Sequence, residues 1–453
     1  MSKAKPIGYT ITHRFPGVDI SEQELANLLA IASWQCTPKF PRRGRMAWHV
    51  LEEAASLVAD PSYKLRAAKL KGVGAWNQPS FHGQSTLDSF PQTPIPPTTQ
   101  PFDSRAKFPH FGFTAEGEYT FLYSNVAPVG GILHSCALQE YRCAETLVKN
   151  GVPTIIPLVV VQYEDCYQFQ GEPMGAVISL VPNTPPYRLS KVTQFEAATQ
   201  QGENSGVYEY YERVRKSLRI EGEPDSETTR LQTINILTRK IGKLIHDFTA
   251  AGLYRYSSGW SNFEYNFDRR EILLTDLDST RYMDELADEF RTLQALRDLA
   301  SMVHRSLLKF YYDLSVLDRY TIKNILKYDS LFELILGYFP DAPEEEVKQI
   351  SRKLWNFFIP YLFLHRRYRQ AIQSGSFGGE GFLMDHQALF YILAMTSLYP
   401  LFCKSDIFRL YPSNLNLEQL MKKAEVYLGE NYEYFLYLLD GGTFWGNDFD
   451  FNS

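Results

Sequence analysis

The sequence predicts an α+β chain in two lobes, a small N-terminal sheet with one key helix and a large, mostly helical C-terminal part. Three observations predict it. Strand-like stretches between Tyr63 and Asn183 enclose one amphipathic helix at 135–150. From Thr228 onward almost every long segment has helical periodicity. A polar stretch from Thr184 to about residue 227, containing PNTPP and EGEPDSE, separates the two. The boundaries expected are a helical extension at 1–62, a first lobe at 63–190, a crossover with the candidate catalytic and metal-binding part at 191–283, and a helical extension at 284–453.

Two helical patterns come first: SEQELANLLAIASW, opened by a capping box of Ser21 and Glu24, and AWHVLEEAASLVA. YKLRAAKLKGVG at 63–74 then reads as a strand in which Lys69 and Lys71 alternate about Leu70. A Pro-rich insertion at 77–109 is expected to form neither a ladder nor a helix interior. EGEYTFLYSN alternates as a strand, Val129-Gly130-Gly131 breaks the chain, and the helix at 135–150 is closed by Gly151 with Pro153 beyond. TIIPLVVVQYED and MGAVISLVPN complete a small sheet. One helix falls around 208–217 in the crossover, and others at 228–251, 284–313, 329–339, 343–373, 386–402 and 417–439, with a hairpin after Asn262.

Composition narrows the function classes. The chain has 453 residues, 44% apolar and 22% charged, with a net charge of −6. That balance gives no general reason to expect nucleic acid or an anionic membrane as partner. Five scattered cysteines without a CxxC pair indicate neither a zinc site nor a disulfide framework. With no apolar leader in MSKAKPIGYTITHRF and no apolar run of about 18 residues, the expected location is cytoplasmic. The many aromatics, 29 Tyr and 30 Phe, follow core periodicity and form no recognisable base-stacking platform.

Chemistry gathers in four places. Lys71 in its strand and Glu140 on the next helix could position a cation against nucleotide phosphates, or be a surface lysine and a solvated glutamate. Asn262 follows a turn, and Asp276 ends an apolar strand with Asp278 two positions on; these offer hard oxygens for Mg²⁺ or Mn²⁺, or else Asx turns. Gly130 and Gly131 stand with Lys71 as nucleotide-contacting candidates. A lysine strand, a glutamate helix, a loop asparagine and a strand-end aspartate are the parts of a protein-kinase-like site for ATP. The carboxylate expected before the asparagine is absent.

Weaker signals are the adjacent His246 and Asp247, which point apart on a helix and are expected not to pair. The basic run Arg366, Arg367 and Arg369 reads as a solvated face. Gly375, Gly378, Gly379 and Gly381 lack the GK[ST] of a P-loop.

KLKGVG (69–74), GGILHSCALQEYRCAETLVKNGVPTIIPLVVV (130–161) and GAVISLVPNTPPYRLS (175–190) resemble, in order, three segments of the selenoprotein-O family. These are its lysine strand, its glutamate helix and its hinge strand. Members have a protein-kinase-like fold, bind ATP in a flipped orientation and transfer AMP to protein hydroxyls. The resemblance implies that Lys71 contacts phosphate, that Glu140 is its partner, and that Asn262 and Asp276 bind metal. The chain departs from the family in several ways. Ser261 stands where the family has its aspartate, and Ser257 where a standard kinase has one. Ser135 replaces an arginine, no glycine cluster precedes Lys71, the insertion at 77–109 is long, and the C-terminus, GNDFDFNS, has no cysteine.

Three functions fit these residues. The first is transfer of AMP or phosphate from Mg-ATP to a protein or small-molecule acceptor, slowed by loss of the base or served by Asp278 or Glu264 instead. The second is an inactive pseudokinase acting as a nucleotide-dependent interaction module. The third is ATP-dependent ligation through an acyl-adenylate.

Overall fold

The structure, a computed structural model, describes residues 5–41, 44–76, 93–101, 109–123, 127–164, 166–193, 205–255, 259–311, 320–373 and 380–443. The chain divides into two compact units: Met1–Pro109, Tyr123–Tyr187 and Glu264–Arg281 form the first, and His110–Leu122, Arg188–Phe263 and Tyr282–Ser453 the second. A sheet-bearing N-terminal part and a helical C-terminal part agree with the α+β expectation.

The first unit is built on an antiparallel sheet. Its elements are β1 (Tyr9–Arg14), β2 (Val18–Asp19), α1 (Glu22–Ala32), β3 (Gly44–Leu57), β4 (Lys64–Trp76), and, after the excursion of β5 (Pro109–Phe113) and β6 (Tyr119–Tyr123), β7 (Ile132–Leu133), α2 (His134–Lys149), β8 (Ile156–Tyr163), β9 (Gln168–Phe169) and β10 (Glu172–Val181). The spatial order is β1-β8-β10-β4-β3-β2. The central strands β8, β10 and β4 are buried on both faces, which is why they read as near-continuous apolar runs. α2 lays Ala137, Tyr141, Ala144 and Leu147 into this core and ends as expected at Gly151, whose φ of +69° suits glycine.

Two expectations fail here. AWHVLEEAASLVA is a strand, not a helix: β3 pairs with β4 through Ala47↔Leu70 and Trp48↔Lys69, so the sheet begins well before residue 63. The helical look comes from Glu52 and Glu53, which fall in a register shift between Val50 and Ala55. There the buried Glu24 carboxylate accepts the Glu52 and Glu53 amides at 2.6 and 3.2 Å. Glu24 therefore holds the bulge, and of the predicted capping box only the Ser21 half is made. The Pro-rich insertion lies mostly outside the described residues. Its described part, 93–101, does pair: Ile95 and Ala75 exchange amide hydrogen bonds of 3.0 Å.

In the second unit β5 and β6 form a separate hairpin, whereas the sequence placed this stretch in the first sheet. Phe111 is the reason: its ring packs on Tyr119, Tyr391 and Tyr427, and its carbonyl accepts from Arg297 Nε at 2.7 Å. The long helices Glu227–Ala250, Asp288–Tyr311, Glu344–Gln373 and Glu380–Phe402 match the periodicity. Gly242 and Gly337 let the helices Glu227–Ala250 and Ser330–Tyr338 touch backbone to backbone; a Cβ at Gly242 would sit 2.2 Å from the Leu334 carbonyl. The predicted last helix is two, Leu417–Leu428 and Tyr432–Leu439, divided at Gly429 with φ of +53°. Among the described residues no helix is long and apolar enough to cross a membrane.

His246 also departs from expectation. Its Nδ1 lies 3.2 Å from Asp247 and its Nε2 3.0 Å from Asp406, so the neighbours do pair once a third residue orients the ring. The hydrogen bond to Asp247, against burial and with help from Asp406, raises its pKa above the ordinary histidine value. Arg366, Arg367 and Arg369 lie on the helix Glu344–Gln373 but their side chains are outside the described residues, as are Gly375, Gly378 and Gly379.

Asp298 anchors β11 (Leu253–Arg255) by accepting the Arg255 amide at 2.6 Å, and Gln294 and Arg297 donate to its other oxygen. Burial lifts its pKa from 3.8 to about 6, the Arg297 charge and the hydrogen bonds opposing this only in part. The native state then holds a proton that the unfolded chain releases, so this group's contribution to stability is complete below about pH 4 and is lost as pH rises through 6. Urea denaturation from pH 4.5 to 7 should show the wild type losing roughly 2 kcal/mol relative to Asp298→Asn, which cannot titrate. A pH-independent difference between the two proteins would contradict the raised pKa.

Candidate functional site

Strand alternation puts Lys69 and Lys71 on one face of β4, and both are buried, at 4% and 3% exposure. α2 brings Glu140, itself 3% exposed, to Lys71. The third contribution comes from the hairpin of β12 (Phe263–Asn266) and β13 (Glu271–Leu274). The end of β13 is clamped: Ile155 N–H donates to the Leu274 carbonyl and Leu274 N–H to that of Pro153, both at 3.0 Å. The chain then turns at Asp276 with φ of +62°, a left-handed conformation that aspartate tolerates better than most residues.

Lys71 Nζ is therefore held by three carboxylates, Glu140 at 2.8 Å, Asp276 at 2.6 Å and Asp278 at 3.0 Å. Burial alone would depress its pKa; the three negative charges overcome this and raise it above the ordinary lysine value. One ammonium against three carboxylates leaves two negative charges uncompensated, and Arg45, 3.6 Å from Asp278, offsets one from the open side. Oxygens of Glu140, Asp276 and Asp278 lie within 4.8 Å of one another. A hard divalent cation with oxygen ligands suits that donor set, Asp276 and Asp278 being the two that reach solvent.

Lys69, two residues earlier, makes a second buried pair. Its Nζ contacts Glu264 and Thr275 Oγ1, both at 2.5 Å. Glu264, named above as a possible replacement base, is 2% exposed and paired with the Lys69 ammonium. Gly130 has a packing reason: a Cβ there would lie 2.7 Å from the Gly74 carbonyl carbon, and a Cβ on Gly131 would meet Met174. Ser135 donates to Glu172 at 3.3 Å. Asn262 ends the short turn Trp260–Asn262 together with Ser261, both grouped with the second unit; Ser257 lies outside the described residues.

Sequence reasoning found Lys71, Glu140, Asp276 and Asp278 and missed Arg45 and the Lys69 pair. Lys69 did carry a signal, since a charge within so apolar a strand needs a partner. Arg45, on β3 just ahead of the stretch that reads as a helix, carried none.

What fold and site define together is an α+β protein with a buried lysine ringed by acids at the end of a strand hairpin. No family model and no curated protein matches the chain. Among solved structures it is similar to WaaP in complex with acyl carrier protein, at 13% identity over 58% of this chain and 90% of that one, with a TM-score of 0.29. It is also similar to a glucosamine kinase (crystal form B), at 11% identity over 91% of this chain and 95% of that one, with a TM-score of 0.19. Likenesses this low carry no argument, and the functional reading rests on the site.

Proposed function

We propose that this chain is a kinase-like protein that binds Mg-ATP at Lys71, Glu140, Asp276 and Asp278 and transfers AMP or phosphate to an acceptor. The observation that supports it is the convergence of three carboxylates, from a helix and the end of a hairpin, on the ammonium of Lys71 in its strand. In this reading Glu140 orients Lys71, which turns its charge to a phosphate oxygen, while Asp276 and Asp278 hold the metal. A bound magnesium ion supplies neutralisation of the phosphate charge. No residue of the cluster is a free base, since each carboxylate is committed to Lys71 or the metal. General-base help is worth about 10²- to 10⁴-fold, so transfer proceeds slowly through positioning and charge alone.

That same lack favours a second reading, a pseudokinase that binds nucleotide without turnover. ATP labelled separately at the α and γ phosphates, incubated with the protein and Mg²⁺ or Mn²⁺, separates the two. Transfer of label abolished by Asp276→Ala supports the first, and the labelled position distinguishes AMP from phosphate. Thermal stabilisation by Mg-ATP without transfer supports the second, and no stabilisation would sink both.

A further inference from the structure

The second unit holds a cavity of about 590 Å³ of its own. Its walls are the turn of the β5–β6 hairpin, the start of the helix Asp288–Tyr311, the loop 412–415 and the helix Leu417–Leu428, all of that unit. The volume falls within the roughly 300–1,000 Å³ of small-molecule sites. Direct contacts tie the walls together. Lys423 donates to Glu118 on the hairpin at 3.3 Å, and the Tyr399 hydroxyl donates to the Leu415 carbonyl at 2.6 Å. Gly117, with φ of +78°, lies so close to Phe290 that a Cβ there would sit 2.7 Å from the ring. The cavity is therefore formed before any ligand arrives.

Two kinds of surface meet in it. Phe290, Leu293, Leu415 and Val426 give an apolar wall, with Val426 left 68% exposed. Around that wall stand four carboxylates and two ammoniums, those of Lys422 and Lys423. Glu118 is taken up by Lys423, and Asp288 by Arg291 at 2.8 Å. Glu116 and Glu289 are left without a cationic partner among the described residues. A metal ion gains nothing from the apolar wall, a hydrocarbon leaves the carboxylates unanswered, and an anion is repelled by them. A methylene chain ending in ammonium groups meets both surfaces, as a lysine stem and head do.

We propose that this cavity binds an aliphatic diamine or polyamine, its methylene body lying on Phe290, Leu293, Leu415 and Val426 and its ammonium groups on Glu116 and Glu289.

Calorimetric titration of the full chain with 1,3-diaminopropane and 1,8-diaminooctane, at about 0.15 M salt to screen loose surface attraction, tests this. Both are dications at neutral pH and differ in the methylene body alone. The longer diamine is expected to bind at least about tenfold more tightly, because its extra methylenes cover the apolar wall. Glu289→Gln should weaken both about fivefold or more, and Val426→Ser should narrow the gap between them while leaving the shorter one unchanged. Equal affinities of the two diamines would reduce the site to a patch of acidic charge and overturn the proposal. Binding unaltered by Glu289→Gln would place the diamine elsewhere and overturn it too, as would failure of both diamines to bind.

Discussion

Lys71→Ala is expected to destabilise the protein by about 3 kcal/mol in the absence of divalent cation, and Mg²⁺ or Mn²⁺ to restore most of that loss. The alanine leaves Glu140, Asp276 and Asp278 facing one another, with Arg45 beside the Asp278 carboxylate and Arg281 donating to the Asp278 carbonyl. Removing one partner of a buried ion pair costs about 3–5 kcal/mol, and the lower end applies because Asp276 and Asp278 are partly hydrated. A divalent cation supplies the missing charge, and at a hundredfold excess over its dissociation constant it contributes about 2.7 kcal/mol. Urea denaturation of both proteins, with and without the metal, measures the difference. The cation should stabilise the variant more than the wild type, in which Lys71 competes for the same oxygens. Equal stabilisation of the two would mean that these carboxylates are not the cation site.

The second large effect belongs to the neighbouring pair. Lys69→Met alone should cost about 3–5 kcal/mol, because Glu264 would remain as a buried carboxylate without its ammonium. Lys69→Met combined with Glu264→Leu should return stability to within about 1–2 kcal/mol of the wild type, since well-packed apolar groups of similar volume often replace a buried pair at no net cost. The interaction energy of this double-mutant cycle is the deciding quantity. Additive losses would show that the two side chains are not coupled.

Much of the site was legible because each of its parts has a local signature. Lys71 sits at an inward position of an alternating strand, Glu140 on the buried stripe of an amphipathic helix, and Asp276 after an apolar run that had to end in a turn. Burial then supplies the physics: each is a charge where water is excluded, so each needs a partner of opposite sign. The partition of the fold was less legible. AWHVLEEAASLVA has helical spacing and helix-forming residues, yet pairing with β4 across a bulge held by Glu24 overrides that preference. The β5–β6 hairpin alternates as any strand would, and only the packing of Phe111 on Tyr391 and Tyr427, about 280 residues or more further on, assigns it to the second unit.

The sequence by itself determined the α+β division, the helix α2 with its glycine stop, and the inward set of Lys71, Glu140, Asp276 and Asp278. It could do so because periodicity and capping are properties of neighbouring residues. Only the tertiary structure decided which carboxylate each lysine takes: Lys71 the buried Glu140 with the solvent-reaching Asp276 and Asp278, Lys69 the one on β12. Two lysines on the same face of one strand are equivalent in sequence. They become a cation at a solvent-reachable acidic edge and a closed internal strut because the β12–β13 hairpin docks with Glu264 over one and Asp276 over the other. That docking is set by contacts some two hundred residues apart in the chain, which no local pattern records.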